Sequence, residues 1–292
     1  MRRILLVSLL IVPATLVAQT ADEKKATLKF LAGLQQSDGG FVAAPIDPKS
    51  DAKPKSSLRA TSAAVRATKY LGGELPNTDK VLAFVKSCYS QETGAFADTP
   101  QGKEDVVVTA VGMMAVAELQ TEPRLDKSIA YLVKNARTFD ERRLAVAGME
   151  AAKKFAPEVK DWLAEIEKTR NADGTYGKGD GQARETGGVA AMILRSGGKL
   201  ADEHHKAIVT ALKSGQRPTG GFGKSGAGHD GETTYRVMRA FHLLGEKPDV
   251  DKLKGFLTSC RNKDGGYGVA PGQPSTVSGT YYVAAIGQWL EK

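Results

Sequence analysis

Gln36-Ser37-Asp38-Gly39-Gly40-Phe41, Gln91-Glu92-Thr93-Gly94-Ala95-Phe96, Asn171-Ala172-Asp173-Gly174-Thr175-Tyr176 and Asn262-Lys263-Asp264-Gly265-Gly266-Tyr267 share one pattern: an amide residue, a glycine three places on, and an aromatic two places later. A fifth copy, Gln216-Arg217-Pro218-Thr219-Gly220-Gly221-Phe222, carries one extra residue. The aromatics at 41, 96, 176, 222 and 267 fall 55, 80, 46 and 45 residues apart. The widest interval therefore holds two units, and the turn between them lacks the motif. Self-similarity at a period of roughly 20–50 residues marks a repeat architecture.

Each copy separates two stretches with apolar residues at i, i+3 and i+4, the period of a helix with one buried face. The stretches before the turns, 22–34, 79–88, 125–136, 158–168, 202–213 and 250–260, keep Lys and Glu between their apolar residues. They suit outer helices with one wet face. The stretches after the turns, 58–71, 105–119, 141–153, 184–194, 233–244 and 280–290, are richer in Ala, Val and Gly and poorer in charge, 141–153 excepted. They suit inner helices packed on most sides. Gly72-Gly73, Gly197-Gly198 and Gly245 stand where left-handed caps end inner helices. Pro76, Pro123, Pro157 and Pro248 introduce outer ones, with Asn77 and Asp249 as caps. Six inner and six outer helices predict an all-α fold, a closed (α/α)6 toroid. An open solenoid would need polar capping repeats, and the terminal helices are as apolar as the middle ones. In the motif itself the glycine permits positive φ, the amide caps a helix end, and the aromatic fills the wedge between helix pairs.

Residues 1–18 stand apart. Met1-Arg2-Arg3 precedes an uncharged run over 4–18 that ends on Ala18, followed by polar Gln19-Thr20-Ala21-Asp22-Glu23. That is the layout of a secretory signal peptide. The competing reading, a membrane anchor, has too short a run and contains Pro13, against the roughly 20 residues a span requires. The expected organisation is a signal peptide over 1–18 and one toroid domain over 19–292, exported to the periplasm or outside. No later stretch is long and apolar enough to span a bilayer. The formal charge is +8; its Lys and Arg are dispersed among acids, which excludes a nucleic-acid footprint. Cys88 and Cys260 are the only cysteines. Both fall at outer-helix ends two steps apart around the ring, too far for the ~7 Å Cα separation of a disulfide, so two free, buried thiols are expected.

The repeated Gln/Asn-x-x-Gly-x-Phe/Tyr turn followed by an Ala-rich helix resembles the repeat shared by squalene–hopene cyclases and protein prenyltransferase β subunits, over residues 22–292. The resemblance implies a toroid with an apolar central cavity for isoprenoid chains. It also locates departures. Prenyltransferase β subunits hold zinc through an Asp-x-Cys pair and a later His; here Glu232 and Thr234 stand at the pair and Ser278 at the His. That donor set is poor for zinc, so the resemblance is to a degenerate zinc site, and no metal or cofactor is expected. The Asp-x-Asp-Asp acid of triterpene cyclases is absent; Glu104-Asp105 is the nearest acidic pair. Gly228-His229-Asp230-Gly231-Glu232-Thr233 resembles a stretch whose His contacts diphosphate, but it overlaps the repeat matched to the zinc residues, so only one of these two assignments holds.

In such a ring all inner N-termini open on one rim, where N–H groups and helix dipoles favour anions. The candidate ligand-binding residues there are Arg59, Arg184, Glu185, His229, Asp230, Tyr235 and Ser278, and the candidate catalytic residues are Glu232, Glu104 and Asp105. Ser57, Thr61, Arg142, Arg143, Ser275 and Thr276 complete the collar. Below it Val107, Val111, Met114, Val189, Met192, Val237, Tyr282 and Ile286 predict either a greasy shaft or a filled core. Two functions compete. One is an exported scaffold that binds a lipid or isoprenoid ligand, or a protein partner, without zinc-dependent catalysis. The other is an isoprenoid-handling transferase or cyclase using the carboxylates or His229 as acid or base. Export favours the first, because cytosolic prenyl donors and partner α subunits are not available outside the cell.

Overall fold

The computed structural model describes residues 19–46, 49, 55–120, 125–226 and 228–292. Residues 1–18, with the expected signal peptide, and Pro123 lie outside them. The described residues form twelve α-helices and one short 3-10 turn, with extended pairing confined to isolated bridges inside the turns. The outer helices are α1 (Ala21–Ala32), α3 (Thr78–Ser87), α5 (Asp126–Asn135), α7 (Val159–Glu167), α9 (Asp202–Ser214) and α11 (Val250–Ser259). The inner helices are α2 (Leu58–Tyr70), α4 (Val106–Glu118), α6 (Phe139–Ala151), α8 (Gln182–Arg195), α10 (Gly231–Leu244) and α12 (Val277–Glu291). Each inner helix packs on the next, and α12 packs on α2. The ring is closed.

Capping explains where the inner helices start. Ser57, Asp105, Asp230 and Thr276 each accept a hydrogen bond from a backbone N–H in the first turn of the helix they begin, supplying one of the groups a helix start leaves unpaired. The turn into α6, which lacks the glycine–aromatic motif, uses a reciprocal Thr138–Glu141 capping box instead. Gly72, Gly197 and Gly245 adopt φ of +73°, +80° and +68° where inner helices end. The core lies between the rings: Phe222 of one turn, Phe241 of α10 and Phe256 of α11 are 1%, 0% and 1% exposed.

The turn motif does more than bend the chain. Its aromatics are buried as expected. Their backbone N–H groups donate to one threonine hydroxyl in the first turns of the following inner helix: Phe41 to Thr61, Phe96 to Thr109, Tyr176 to Thr186, Phe222 to Thr234 and Tyr267 to Thr280, at 2.9–3.1 Å. All five threonines are fully buried. The amides serve differently from a plain helix cap. The Gln216 amide donates to Gly220 O in its own turn and to Asp249 O, and its oxygen accepts from Asp249 N, at 2.9–3.0 Å. It ties the turn to the start of α11. Cys88 and Cys260 are free and buried, and burial pushes their thiols up to about 12 and about 11.

Candidate functional site

Parallel inner helices leave a cavity of about 270 Å³ on the ring axis, lined from all six of them. It lies just under the ~300–1,000 Å³ usual for small-molecule sites. Val111, Met114, Leu144 and Met192 supply apolar wall, as a greasy shaft requires, but Val237 and Ile286 are wholly buried in the core. The same wall also carries Arg59, Arg66, Arg143, Arg195, Arg236 and Arg239, against one lining carboxylate, Glu232. The greasy shaft is present, and its wall is cationic as well.

The arginines form two tiers. Near the inner N-termini, Asp140 of α6 sits among three guanidiniums: Arg236 at 2.9 Å, Arg143 at 3.5 Å and Arg184 at 3.9 Å. Glu232 pairs with Arg236 at 3.0 Å, with Arg184 and Lys224 each at 3.9 Å. Burial pushes the Asp140 carboxyl up, but the hydrogen bond and charge of Arg236, with Arg143 and Arg184, outweigh it and hold the group below the ordinary range. Burial, and then the charge of Arg236, bring Arg143 down to about 10. Cations outnumber anions here.

The lower tier, toward the inner C-termini, holds Arg66, Arg195 and Arg239, and Arg66 and Arg239 lie against aromatic rings. The Arg66 guanidinium lies 4.6 Å from the Tyr281 ring centre, and that of Arg239 4.2 Å from the Trp289 ring centre. Arg239 also donates to the Tyr235 hydroxyl at 3.0 Å, which lies 2.8 Å from the Tyr281 hydroxyl. Arg195 has Glu150 at 3.3 Å. Among the described residues no carboxylate comes within 4.0 Å of Arg66 or Arg239. Cation–π contact returns ~0.5–2 kcal/mol, against several kcal/mol for desolvating an ion. The aromatic rings do not balance the two charges. Burial would push the Tyr235 phenol up, yet Arg239, Arg66 and Arg195, with the Tyr281 hydrogen bond, bring it well below the ordinary phenol range. The nearest internal answer to the excess charge is thus a phenol. His242, stacked on Trp289 at 5.4 Å, is lowered by burial and by Arg239, so it adds no cation at neutral pH.

Of the residues singled out from sequence, Arg59, Glu232, Tyr235 and Ser278 line the cavity. Arg184 stands behind Glu232 and is also 3.2 Å from Glu185, while Glu185 faces a second, more open hollow between α6, α7 and α8. Asp230 caps α10, and Asp105 caps α4 with Arg59 at 3.3 Å. Glu104 accepts from Thr93 at 2.6 Å, inside its own turn. His229 stands 3.2 Å from the Thr219 hydroxyl and edge-on to Phe256 of α11 at 5.1 Å, away from the axis. Sequence reading missed Arg66, Arg195, Arg236 and Arg239. The signal was present in spacing: Arg59 and Arg66 are seven apart on α2, and Glu232, Tyr235, Arg236 and Arg239 follow i, i+3, i+4, i+7 on α10, one face of a helix.

Glu232 and Thr234 are each engaged by neighbouring groups. Glu232 is surrounded by cations, which repel a metal ion. The Thr234 hydroxyl accepts from Phe222 N and donates to Asp230 O at 2.7 Å. Among the described residues no group of three or more His, Cys, Asp or Glu could hold a metal ion, and no helix is long and apolar enough to cross a membrane.

A family model described as the prenyltransferase alpha-alpha toroid domain matches residues 4–151 and 143–291. No curated protein matches the sequence. Among solved structures, a variant of the type II terpene cyclase MstE from Scytonema, in complex with geranylgeranyl dihydroxybenzoate, is similar with a TM-score of 0.63 at 13% identity, covering 92% of this chain and 96% of that one. A protein from Actinoplanes gives 0.60 at 12% identity, covering 92% and 98%. An alpha-amylase from Clostridium perfringens gives 0.59 at 13% identity, covering 91% and 97%. Proteins with different chemistry match almost equally well, so these likenesses establish the fold and leave chemistry to the site.

Proposed function

The chain belongs to the prenyltransferase alpha-alpha toroid family, and on that footing we propose that it is a binding toroid whose central cavity holds one small organic ligand of lipid or isoprenoid kind with an anionic end, without a zinc-dependent step. The observation that carries this reading is the cavity wall: six arginines and one carboxylate around about 270 Å³ that also offers Met114, Leu144 and Met192. A wall that is cationic and apolar at once matches a molecule with both characters. The donor set at Glu232, Thr234 and Ser278 supports a degenerate zinc site, because two of the three are hydroxyls and the third is held by arginines. The same ion pairing weighs against Glu232 as a proton donor, and so against the transferase or cyclase alternative. Export belongs to the same reading, with removal of residues 1–18 leaving the toroid over 19–292.

Native mass spectrometry of the purified protein, with metal analysis, tests the proposal. The expected result is a retained anionic small molecule, zinc well below one per chain, and an intact mass that begins at Gln19 in an extracytoplasmic fraction. Stoichiometric zinc together with turnover of a prenyl diphosphate would overturn the assignment.

A further inference from the structure

The lower tier of the cavity is built unlike the upper one. At the mouth every guanidinium has a carboxylate within 4.0 Å: Arg59 has Asp105, and Arg143, Arg184 and Arg236 share Asp140 and Glu232. At the floor only Arg195 has one, Glu150. Arg66 reaches the Met114 sulfur at 3.4 Å and the Tyr70 hydroxyl at 3.5 Å, both poor partners for a guanidinium. The Arg239 Nε–H is buried with no hydrogen-bond partner, whereas the Arg195 Nε lies 3.3 Å from the Glu150 carboxylate. A buried donor left unpaired needs a reason, and this one belongs to a residue that lines the cavity. Counting Arg195 and Glu150 as a neutral pair, Arg66 and Arg239 remain without a carboxylate partner, and the Tyr235 hydroxyl is the nearest internal group that answers them.

We propose that the floor of the central cavity is a phosphate-monoester site, in which Arg66, Arg195 and Arg239 hold one dianionic head group beneath the apolar wall. The inference rests on the ligand-binding reading above and adds the charge and position of the head group. Two guanidiniums without a carboxylate partner favour a head group with more than one negative charge and several acceptor oxygens, which a phosphate monoester carries and a monocarboxylate does not. Guanidinium forks match the paired oxygens of such a group. The Tyr235 hydroxyl, 3.0 Å from Arg239, supplies a further partner at the same level. The ester can come from a lipid or from a water-soluble metabolite; the head group is common to both.

Calorimetric titration of the purified protein tests this with matched probes, phenyl phosphate against benzoate and octyl phosphate against octanoate. At least one phosphate is expected to bind tenfold or more tighter than its carboxylate partner, and the tighter phosphate identifies the source, lipid or soluble. Arg66→Met and Arg239→Met should each weaken phosphate binding at least 30-fold. Their ligand-free melting temperature should equal or exceed that of the unaltered protein, because each removes an unneutralised buried charge. A merely structural role for these arginines predicts the opposite pair of results, a lower melting temperature with unchanged affinity, and that would overturn the proposal. If a Met variant fails to fold, the comparison of matched probes on the unaltered protein decides alone, and carboxylates binding as tightly as phosphates would refute the site. A monoanion that binds tightly and depends on Arg143 but not on Arg66 or Arg239 would leave the binding reading standing and remove this one. Failure of every organic anion to bind would remove both.

Discussion

At the scale of single residues, one threonine per unit carries more of the architecture than its side chain suggests. Thr234 accepts from Phe222 N at 3.0 Å and donates to Asp230 O at 2.7 Å, so one hydroxyl joins the turn to the start of α10. Valine has nearly the same shape without the hydroxyl, and Thr234→Val would leave the Phe222 N–H buried without a partner. That loss costs ~1–3 kcal/mol. Urea denaturation should show a lower midpoint at unchanged slope, and Thr109→Val and Thr186→Val should behave alike because their hydroxyls do the same work for Phe96 and Tyr176. A loss below ~0.5 kcal/mol at all three, within the range of ordinary surface substitutions, would show that the brace is not a stabilising feature. The same bond answers a functional question. Under the proposed degenerate zinc site Thr234 would replace a metal-binding thiol, and its oxygen is already committed to the backbone.

Helices and turns allow conformational strain to be separated from collision. Gly220 and Gly245 both have positive φ, +94° and +68°. A Cβ on Gly220 would lie 1.8 Å from Lys252 O on α11, whereas one on Gly245 would meet nothing within 4 Å. Gly245→Ala should therefore cost only the left-handed penalty, ~1–2 kcal/mol. Gly220→Ala adds displacement of α11 and should cost roughly 2–4 kcal/mol. Equal melting temperatures for the two variants would contradict this account of the motif. These elements were the legible part of the sequence, because φ and helical periodicity are local properties: five turns, twelve helices and their inner or outer rank follow from glycine spacing and charge content. The cavity was not legible in the same way. Arg66, Arg195 and Arg239 look like the wet face of a helix when each helix is read alone, since long cationic side chains ordinarily run to solvent. Only the closed ring makes the stripe of α10 face that of α2. His229 shows the complementary difficulty: its motif-like neighbours suggest a ligand, and the turn sets its ring against Phe256.

Across the whole molecule, closure is made by repeating one contact. Gly39 docks on Lys80 of α3 and Gly220 on Lys252 of α11; Gly265, in the last turn, docks on Ala26 of α1 as if the first unit were the next. Val277 N donates to Ala43 O at 2.9 Å, and Lys24 pairs with Glu291 at 2.9 Å, joining the two ends of the chain. A ring shut by packing still needs its mouth held, and Asp140 does this. It binds α6 to Arg236 on α10, two inner helices away, with Arg184 of the intervening α8 beside it. The carboxyl is half exposed while the Arg236 side chain is 9% exposed, so its removal falls between a surface pair and a buried one, and Asp140→Asn should cost roughly 1–2 kcal/mol near neutral pH. The pH dependence follows from the sign of its shift. Its folded-state pKa is depressed, burial being outweighed by Arg236, Arg143 and Arg184. Its contribution is therefore complete above the unfolded value of ~3.9 and is lost as pH falls through the folded one, because the unfolded chain binds the proton more readily. Urea midpoints of the unaltered protein and the Asn variant should differ at pH 7 and pH 5 and draw together as the pH falls below ~3.9 and through the depressed folded-state value. A gap that persists undiminished into that acid range would mean that Asp140 acts through shape or hydrogen bonding alone, and the clamp across the mouth would then owe nothing to its charge.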